Sequence, residues 1–435
     1  MWLRLAAWAA FAAVPCAQAQ VRPPEATPAA PPQTQTLTLD DAFARVARSY
    51  PELRLFGPRT EALLAERDAA ALRPPLRAGL EIENALGSGQ ARGFDSAEAT
   101  LSLAGVLERG GKLDARRTLA QARLDALAVQ REAQRLDLLA EVARRHLAAQ
   151  AARADAAIAR RDIEQRTRTV AAARQRLQAG ASPESVVLTA QAALARAEMA
   201  LARAQQQEDA ARRHLAALWG EREPRFDVAG GDLLALPDVA AMEELAALLQ
   251  HTPELAEIAD ERRIREARLQ LARSEAAPDL DWQVGVRRAQ DSGDVSLVAG
   301  LSLPLGGARR AQPAIRAAEA ELAALGLERE SRDIALYSTL ADAHGRYRTA
   351  RLEVERTRQD VLPRLQRAEQ AAERAYRAGA ISYLEWAQLQ SETTAARRQQ
   401  LDAALEAQRA LIELQRLTGA PLLAGAAPAA QGTLP

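Results

Sequence analysis

Hydrophobic positions follow two different periods along this chain, and each period occurs twice. Around residues 76–83 apolar side chains fall on every second position, at Leu76, Ala78, Leu80 and Ile82. The same spacing returns at Leu280, Trp282, Val284 and Val286. Strict alternation predicts strands with two unlike faces. Gly-rich polar loops follow at 86–93 and 288–294, and second strands are expected at about 97–107 and 295–305. The hairpins thus span 76–107 and 280–305. Each strand has the length that crosses an outer membrane when tilted.

Elsewhere the period is helical. From Gly111 to Gln178 there is no Pro and no internal Gly, and an equal stretch from Ala311 to Ala378 is interrupted by Pro313, Gly326, Gly345 and Pro363. A helix of that length reaches about 100 Å and needs a partner running back along it. The partners begin at Ser182 and Ser382 and end at Trp219 and Leu417. In the first of them Val187, Leu194, Leu201, Glu208 and Leu215 recur every seven residues, with Ala190, Ala197, Ala204, Ala211 and Leu218 between them. Heptad spacing of this kind predicts a coiled-coil seam. The second return helix keeps it more loosely, through Leu389, Ala396, Ala403, Ala410 and Leu417.

The doubling extends to short motifs. Pro51-Glu52-Leu53 recurs as Pro253-Glu254-Leu255, Pro74-Pro75-Leu76 as Pro278-Asp279-Leu280, and Leu101-Ser102-Leu103 as Leu301-Ser302-Leu303. Gly110-Gly111 recurs as Gly306-Gly307, Ala179-Gly180-Ala181 as Ala378-Gly379-Ala380, and Leu218-Trp219-Gly220 as Leu417-Thr418-Gly419. An ordered set of matches at a nearly constant offset is an internal repeat, and it sets the architecture. The first repeat is 37–220 (opening helix 39–72, β-hairpin, helical hairpin 111–219). The second is 238–420 (opening helix 238–276, β-hairpin, helical hairpin 311–418), after a linker at 221–237. The expected fold is mainly α with a small β part, as long antiparallel coiled-coil hairpins plus four strands per chain. Four strands cannot close a barrel, and an open edge in lipid leaves backbone groups unpaired. Either the strands lie outside a membrane as small soluble hairpins, or several chains pool them; three would supply twelve.

Composition adds the compartment. Arg4 followed by the apolar run Leu5–Val14 and Ala17-Gln18-Ala19 reads as a secretory signal over 1–19, then a flexible Pro-rich leader at 20–36. Cys16, the one cysteine, leaves with the signal; a lipoprotein reading would make it the acylated first residue, although Val14-Pro15 is a poor lipobox. Residues 421–435 form a C-terminal tail. Without Arg4 the charge is 56 basic against 57 acidic side chains, which gives no nucleic-acid footprint. Aromatics are 3% of residues, a composition of long helices.

Candidate chemistry is sparse. His146, His214, His251 and His344 lack a second ligand at metal-site spacing and read as surface histidines. Gly110-Gly111-Lys112 lacks the rest of a phosphate-loop frame and reads as a strand-to-helix turn. No catalytic residue, metal site or cofactor is expected. The hairpin tips carry clearer signals. Gly180 and Gly379 suit left-handed C′ positions, Ser182 an N-cap with Pro183 at N1, and Ser382 with Glu385 a capping box. Thr38 with Asp41 forms a similar box.

Taken together, Leu80-Glu81-Ile82-Glu83-Asn84 with Gly87-Ser88-Gly89, Leu107-Glu108-Arg109-Gly110-Gly111-Lys112, Ala179-Gly180-Ala181-Ser182-Pro183 and Leu215-Ala216-Ala217-Leu218-Trp219-Gly220 resemble the TolC-type outer-membrane efflux family. Within it they resemble the branch associated with cobalt–zinc–cadmium resistance pumps. The resemblance covers about 37–420; Tyr50 and Thr252 stand where an Asn is common, and Ala104-Gly105-Val106 is unusual for the second strand. It implies a homotrimer that closes a twelve-stranded barrel in outer-membrane lipid above a periplasmic helical tunnel (α-barrel). It also implies a periplasmic adaptor docking at Ala179, Gly180, Ala181, Ser182, Ala378, Gly379, Ala380 and Ser382, and an inner-membrane resistance–nodulation–division (RND) pump. Glu385 lies near where family members narrow the tunnel with acidic residues, and three copies would make an acidic ring. The expected function is a passive duct, with heavy-metal cations as cargo. A drug or type I secretion duct and a non-transport periplasmic coiled-coil scaffold are the alternatives.

Overall fold

A computed structural model describes residues 35–419; the expected signal, Cys16, nearly all of the leader and the C-terminal tail lie outside the described residues. The elements run β1 (Gln35–Leu37), α1 (Leu39–Ser49), α2 (Pro51–Arg54), α3 (Phe56–Ala70), β2 (Arg77–Glu83), β3 (Glu98–Leu107), α4 (Lys112–Gln178) and α5 (Glu184–Ala216). They continue with β4 (Phe226–Val228), α6 (Met242–Leu248), α7 (Pro253–Ser274), β5 (Leu280–Ala289), β6 (Val295–Ser302), α8 (Gly307–Arg356), α9 (Leu362–Ala378) and α10 (Tyr383–Thr418).

The helices that open each repeat are broken, where the sequence pattern predicts one run apiece. Pro51 and Pro253 lack an N–H, and each forces the residue before it out of helical space: Tyr50 sits at ψ 119° and Thr252 at ψ 148°. Thr38 and Asp41 form the capping box that starts α1.

Helix α4 runs unbroken for 67 residues, about 100 Å. It packs against α5, α10, α7 and α3, so it is the spine of the chain. Toward the end of α5, Leu215 of the α4–α5 seam is buried and Ala211 half-buried. In the middle of the seam the order reverses and the alanines are the more deeply buried: Ala190, Ala197 and Ala204 are at most 3% exposed, whereas Leu194 and Leu201 are half-buried. Small side chains occupy the line of closest approach, and the leucines flank it. Its counterpart in the second repeat is interrupted. A π turn at Thr357–Val361 separates α8 from α9 just before Pro363. A proline ring strikes the carbonyl four residues back, and a widened turn relieves that clash. Gln400 of α10 donates to the Val354 carbonyl beside it (3.2 Å).

One ladder joins parts of the chain that sequence pattern leaves as leader and linker. Strand β1 pairs parallel with β4, Gln35 to Phe226 through Leu37 to Val228. Leu37, Phe226 and Val228 are buried there with Val46, Val142 and Leu215. Three side chains of α4 hold this ladder through backbone carbonyls. Gln150 Nε2 donates to Ala229 O (2.7 Å), Arg153 Nη1 to Val228 O (2.8 Å), and His146 Nε2 lies 3.4 Å from Leu37 O. His146 is therefore buried, a correction to its reading as a surface histidine. Nothing local marks it, because its cover is a strand more than a hundred residues away.

Candidate functional site

The four remaining strands form one antiparallel sheet in the order β2-β3-β5-β6. The two hairpins thus join through β3 and β5, with Leu101 opposite Val286 and Leu107 opposite Leu280. Register sorts most side chains by face, with Arg288 at the loop end of the apolar side and Val106 and Val298 on the polar side. Leu80, Leu101, Val286 and Leu297 line up across one face, as do Ala78, Leu103, Val284 and Ala299. The other face aligns Gly79, Ser102, Gly285 and Val298, then Glu81, Thr100, Arg287 and Ser296. On that polar face Arg287 bridges Glu83 (3.0 Å) and Glu98 (2.8 Å) and donates to Thr100 Oγ1 (3.1 Å).

Among the described residues nothing covers the apolar face. Leu80, Leu101, Leu297 and Leu301 are 64–79% exposed. Apolar surface of this extent costs about 25 cal/mol per Å² in water, so the face requires a non-aqueous neighbour. Among the described residues strands β2 and β6 each have one strand partner, which leaves two open edges. No helix among the described residues is long and apolar enough to cross a membrane.

The far ends of the long helices carry the two tips. Gly180 (φ +71°) and Gly379 (φ +84°) adopt the left-handed conformation that other residues take only at a cost of about 1–2 kcal/mol. The closures match: Ala181 N–H bonds Arg176 O (2.8 Å) and Ala380 N–H bonds Ala375 O (2.9 Å), a Schellman motif in each repeat. Ala179, Gly180 and Ala181 are exposed, as are Ala378, Gly379, Ala380 and Ser382. The predicted caps differ in outcome. Ser382 and Glu385 form their capping box, with Ser382 N–H and Oγ each 2.8 Å from Glu385 Oε2. The backbone hydrogen bond from Ser382 holds the exposed Glu385 carboxyl below its ordinary range. Ser182, in contrast, does not cap: Pro183 takes the cap position at ψ 157° and the helix begins at Glu184.

The two tips are tied together by a residue that sequence pattern does not single out. Arg176 Nη1 donates to Tyr376 O (2.7 Å), Nη2 donates to Ala181 O (3.2 Å), and the guanidinium lies 4.8 Å from the Tyr376 ring centre. Tyr376 packs on Trp386 at 5.1 Å between ring centres, with Tyr383 beside them in one buried cluster. The available signal was scarcity. In a chain with so few aromatics, three within eleven positions around one tip mark a packed element.

Above the tips α4 meets α9 and α10 through buried polar groups. Gln390 Nε2 donates to Thr169 Oγ1 (2.9 Å), Thr394 Oγ1 to Asp162 Oδ1 (3.2 Å), and Arg166 Nη2 to Ser391 Oγ (3.0 Å). Gln165 Nε2 donates to Glu369, whose carboxyl burial pushes above its ordinary value, while Gln165 Oε1 is buried without a partner. Among the described residues no group of three or more His, Cys, Asp or Glu could hold a metal ion. An open groove of about 750 Å³ between α3, α4 and α7 interleaves Arg67, Arg117 and Arg263 with Asp68, Asp125 and Glu266, an ion-paired surface.

A family model described as outer membrane efflux protein matches residues 62–221 and 245–420, one segment per repeat. The cobalt-zinc-cadmium resistance protein CzcC of Cupriavidus metallidurans is 29% identical over 320 residues, 72% of this chain and 75% of CzcC. Among solved structures, the transmembrane channel protein CusC superposes with TM-score 0.72 at 19% identity, covering 87% of this chain and 91% of CusC. The outer membrane protein VceC of Vibrio cholerae superposes with TM-score 0.70 at 18% identity, covering 88% and 97%.

Proposed function

The chain belongs to the outer membrane efflux protein family, and from that premise we propose that it is the outer-membrane duct subunit of a tripartite efflux system. The observation that carries this reading is the two-faced sheet with two open edges. Its apolar face suits lipid and its polar face suits a water-filled lumen. Its edges are satisfied only by further strands, and three copies give twelve. The helical hairpins continue the same wall for about 100 Å into the periplasm, ending at the tips.

In this reading the tips around Gly180 and Gly379 receive a periplasmic adaptor, and an inner-membrane RND pump supplies the energy. Export through the duct is passive, and the chain performs no catalysis. The likeness to CzcC supports heavy-metal cations as cargo. The metal is cargo only, and the duct itself needs no ligand cluster. Glu385, exposed and held ionised, supports an acidic constriction that favours cations where three copies meet.

Fractionation tests the core of the proposal. A trimer in the outer membrane that dissociates only on heating supports the duct; a soluble periplasmic pool supports a scaffold and ends it. Deleting the gene tests the cargo: sensitisation to cobalt, zinc or cadmium supports metal export, and sensitisation to drugs alone overturns it.

A further inference from the structure

The two ends of the sheet differ in charge. By register, the start of β2, the end of β3, the start of β5 and the end of β6 lie together at the helix end, and the loops at 84–97 and 290–294 lie at the other. At the helix end Glu108, Asp279 and Asp114 are taken by Arg116, Lys112 and Arg117. That leaves Arg73, Arg77, Arg109, Arg309 and Arg310 exposed, with no hydrogen bond or ion pair to their guanidinium groups among the described residues, against two unpaired carboxylates, Glu275 and Asp281. At the loop end the balance reverses: Arg92 and Arg288 face Asp95, Asp291 and Asp294.

The surplus lies beside exposed leucines. Leu76, Leu107 and Leu305 are 62%, 56% and 91% exposed, and Leu72 next to Arg73 is 69% exposed. Leu303 and Leu305 follow the end of β6 at this same edge of the sheet and are 41% and 91% exposed. Arg77 shares the phase of Gly79 and Glu81 and belongs to the polar face. Arg73, Arg109, Arg309 and Arg310 therefore form a cationic collar directly below an apolar band. A guanidinium is weakly hydrated, and its planar fork matches the oxygens of a phosphodiester.

The geometry points to this collar as a binding surface for anionic glycerophospholipid headgroups, presented by the leaflet that faces the helices. The inference rests on the sheet spanning a bilayer. Leucines of the rim enter the acyl region while the arginines sit at the phosphate plane. The acidic loop end offers no matching surface. Each basic residue near such a surface multiplies the local preference by about fivefold at low salt.

The test uses the purified full-length protein in vesicles of phosphatidylcholine with a minor fraction of phosphatidylglycerol. Flotation reports insertion, and mass spectrometry of the retained lipid reports headgroup preference. The wild type is expected to float and to retain phosphatidylglycerol above its bulk fraction. Replacing Arg73, Arg109, Arg309 and Arg310 together by Gln should lose that enrichment without loss of flotation, whereas Arg92→Gln with Arg288→Gln should retain it. Enrichment should also survive excess inorganic phosphate, since the site takes a lipid headgroup and not the free anion. An unenriched wild type, enrichment that persists in the fourfold variant, or displacement by inorganic phosphate overturns the collar. Failure of the wild type to float with any vesicle overturns the membrane reading itself, and the collar with it.

Discussion

Removing the Arg176 side chain is expected to loosen both tips at once. The guanidinium makes two hydrogen bonds to carbonyls, one on each tip, and lies over the Tyr376 ring. A hydrogen bond from a charged donor contributes about 1.5–3 kcal/mol and an exposed cation–π contact about 0.5–1 kcal/mol. Arg176 is only half-buried, and water can reach the carbonyls once it is gone, so the lower end applies. Each tip loses one of the two hydrogen bonds, so Arg176→Ala should cost about 2 kcal/mol at each tip, which corresponds to roughly 30-fold faster amide exchange there. Hydrogen–deuterium exchange of peptides covering 177–186 and 376–386 in the assembled protein measures this, with the β1–β4 ladder as an internal control. Lys in place of Arg cannot span both carbonyls and should recover less than half of the protection. If the first tip accelerates and the second does not, Arg176 merely closes its own turn and the coupling argument is wrong. Unchanged exchange at both tips removes the contribution altogether.

Other consequences can be checked separately. Single-channel recording of Glu385→Gln should show reduced cation selectivity; conductance and selectivity equal to wild type would leave Glu385 as a helix cap only. Trp at both Gly180 and Gly379 should abolish adaptor crosslinking and efflux, and retention of both would remove the tips from docking. Burial lowers the pKa of His146, so the folded protein prefers the neutral ring. Its stabilisation is complete above about pH 6.5 and is lost as pH falls toward the lowered folded value. Wild-type melting temperature should thus fall with acidification in this window, and the fall should be smaller in His146→Gln. Glu369 has the opposite sign. Its raised pKa makes protonation favourable to the fold, and the protonated carboxyl can donate to the unpartnered Gln165 Oε1. That contribution is present at low pH and lost as pH rises through the raised folded value. Glu369→Gln should then stabilise the protein by about 1 kcal/mol near neutral pH and by less in acid, as read by thermal melts.

Much of the architecture was legible because it is written in local period. Alternation at 76–83 and 280–286 specifies strands, a Pro-free and Gly-free run at 112–178 specifies the long helix, and Gly180 and Gly379 specify where the helices turn. The Ser382–Glu385 box could be read because a cap involves residues three apart. Ser182 departs from the same local pattern, since an extended Pro183 shifts the helix start by one residue and leaves the serine outside. The heptad period of the seam is local, but which of its two lines lies deeper depends on how closely α4 and α5 approach, and through Ala190, Ala197 and Ala204 it is the alanine line.

Local period in the chain specifies the repeat, its long helices and its two-faced strands, because each depends on neighbours within a few residues. The tertiary structure decided what those elements meet. It joined β3 to β5, paired β1 with β4 over His146, and brought Arg176 to the carbonyl of Tyr376 across 200 positions. A hydrogen bond or a buried ring between distant segments leaves no period in the chain, because its partner is chosen by packing after the helices have formed.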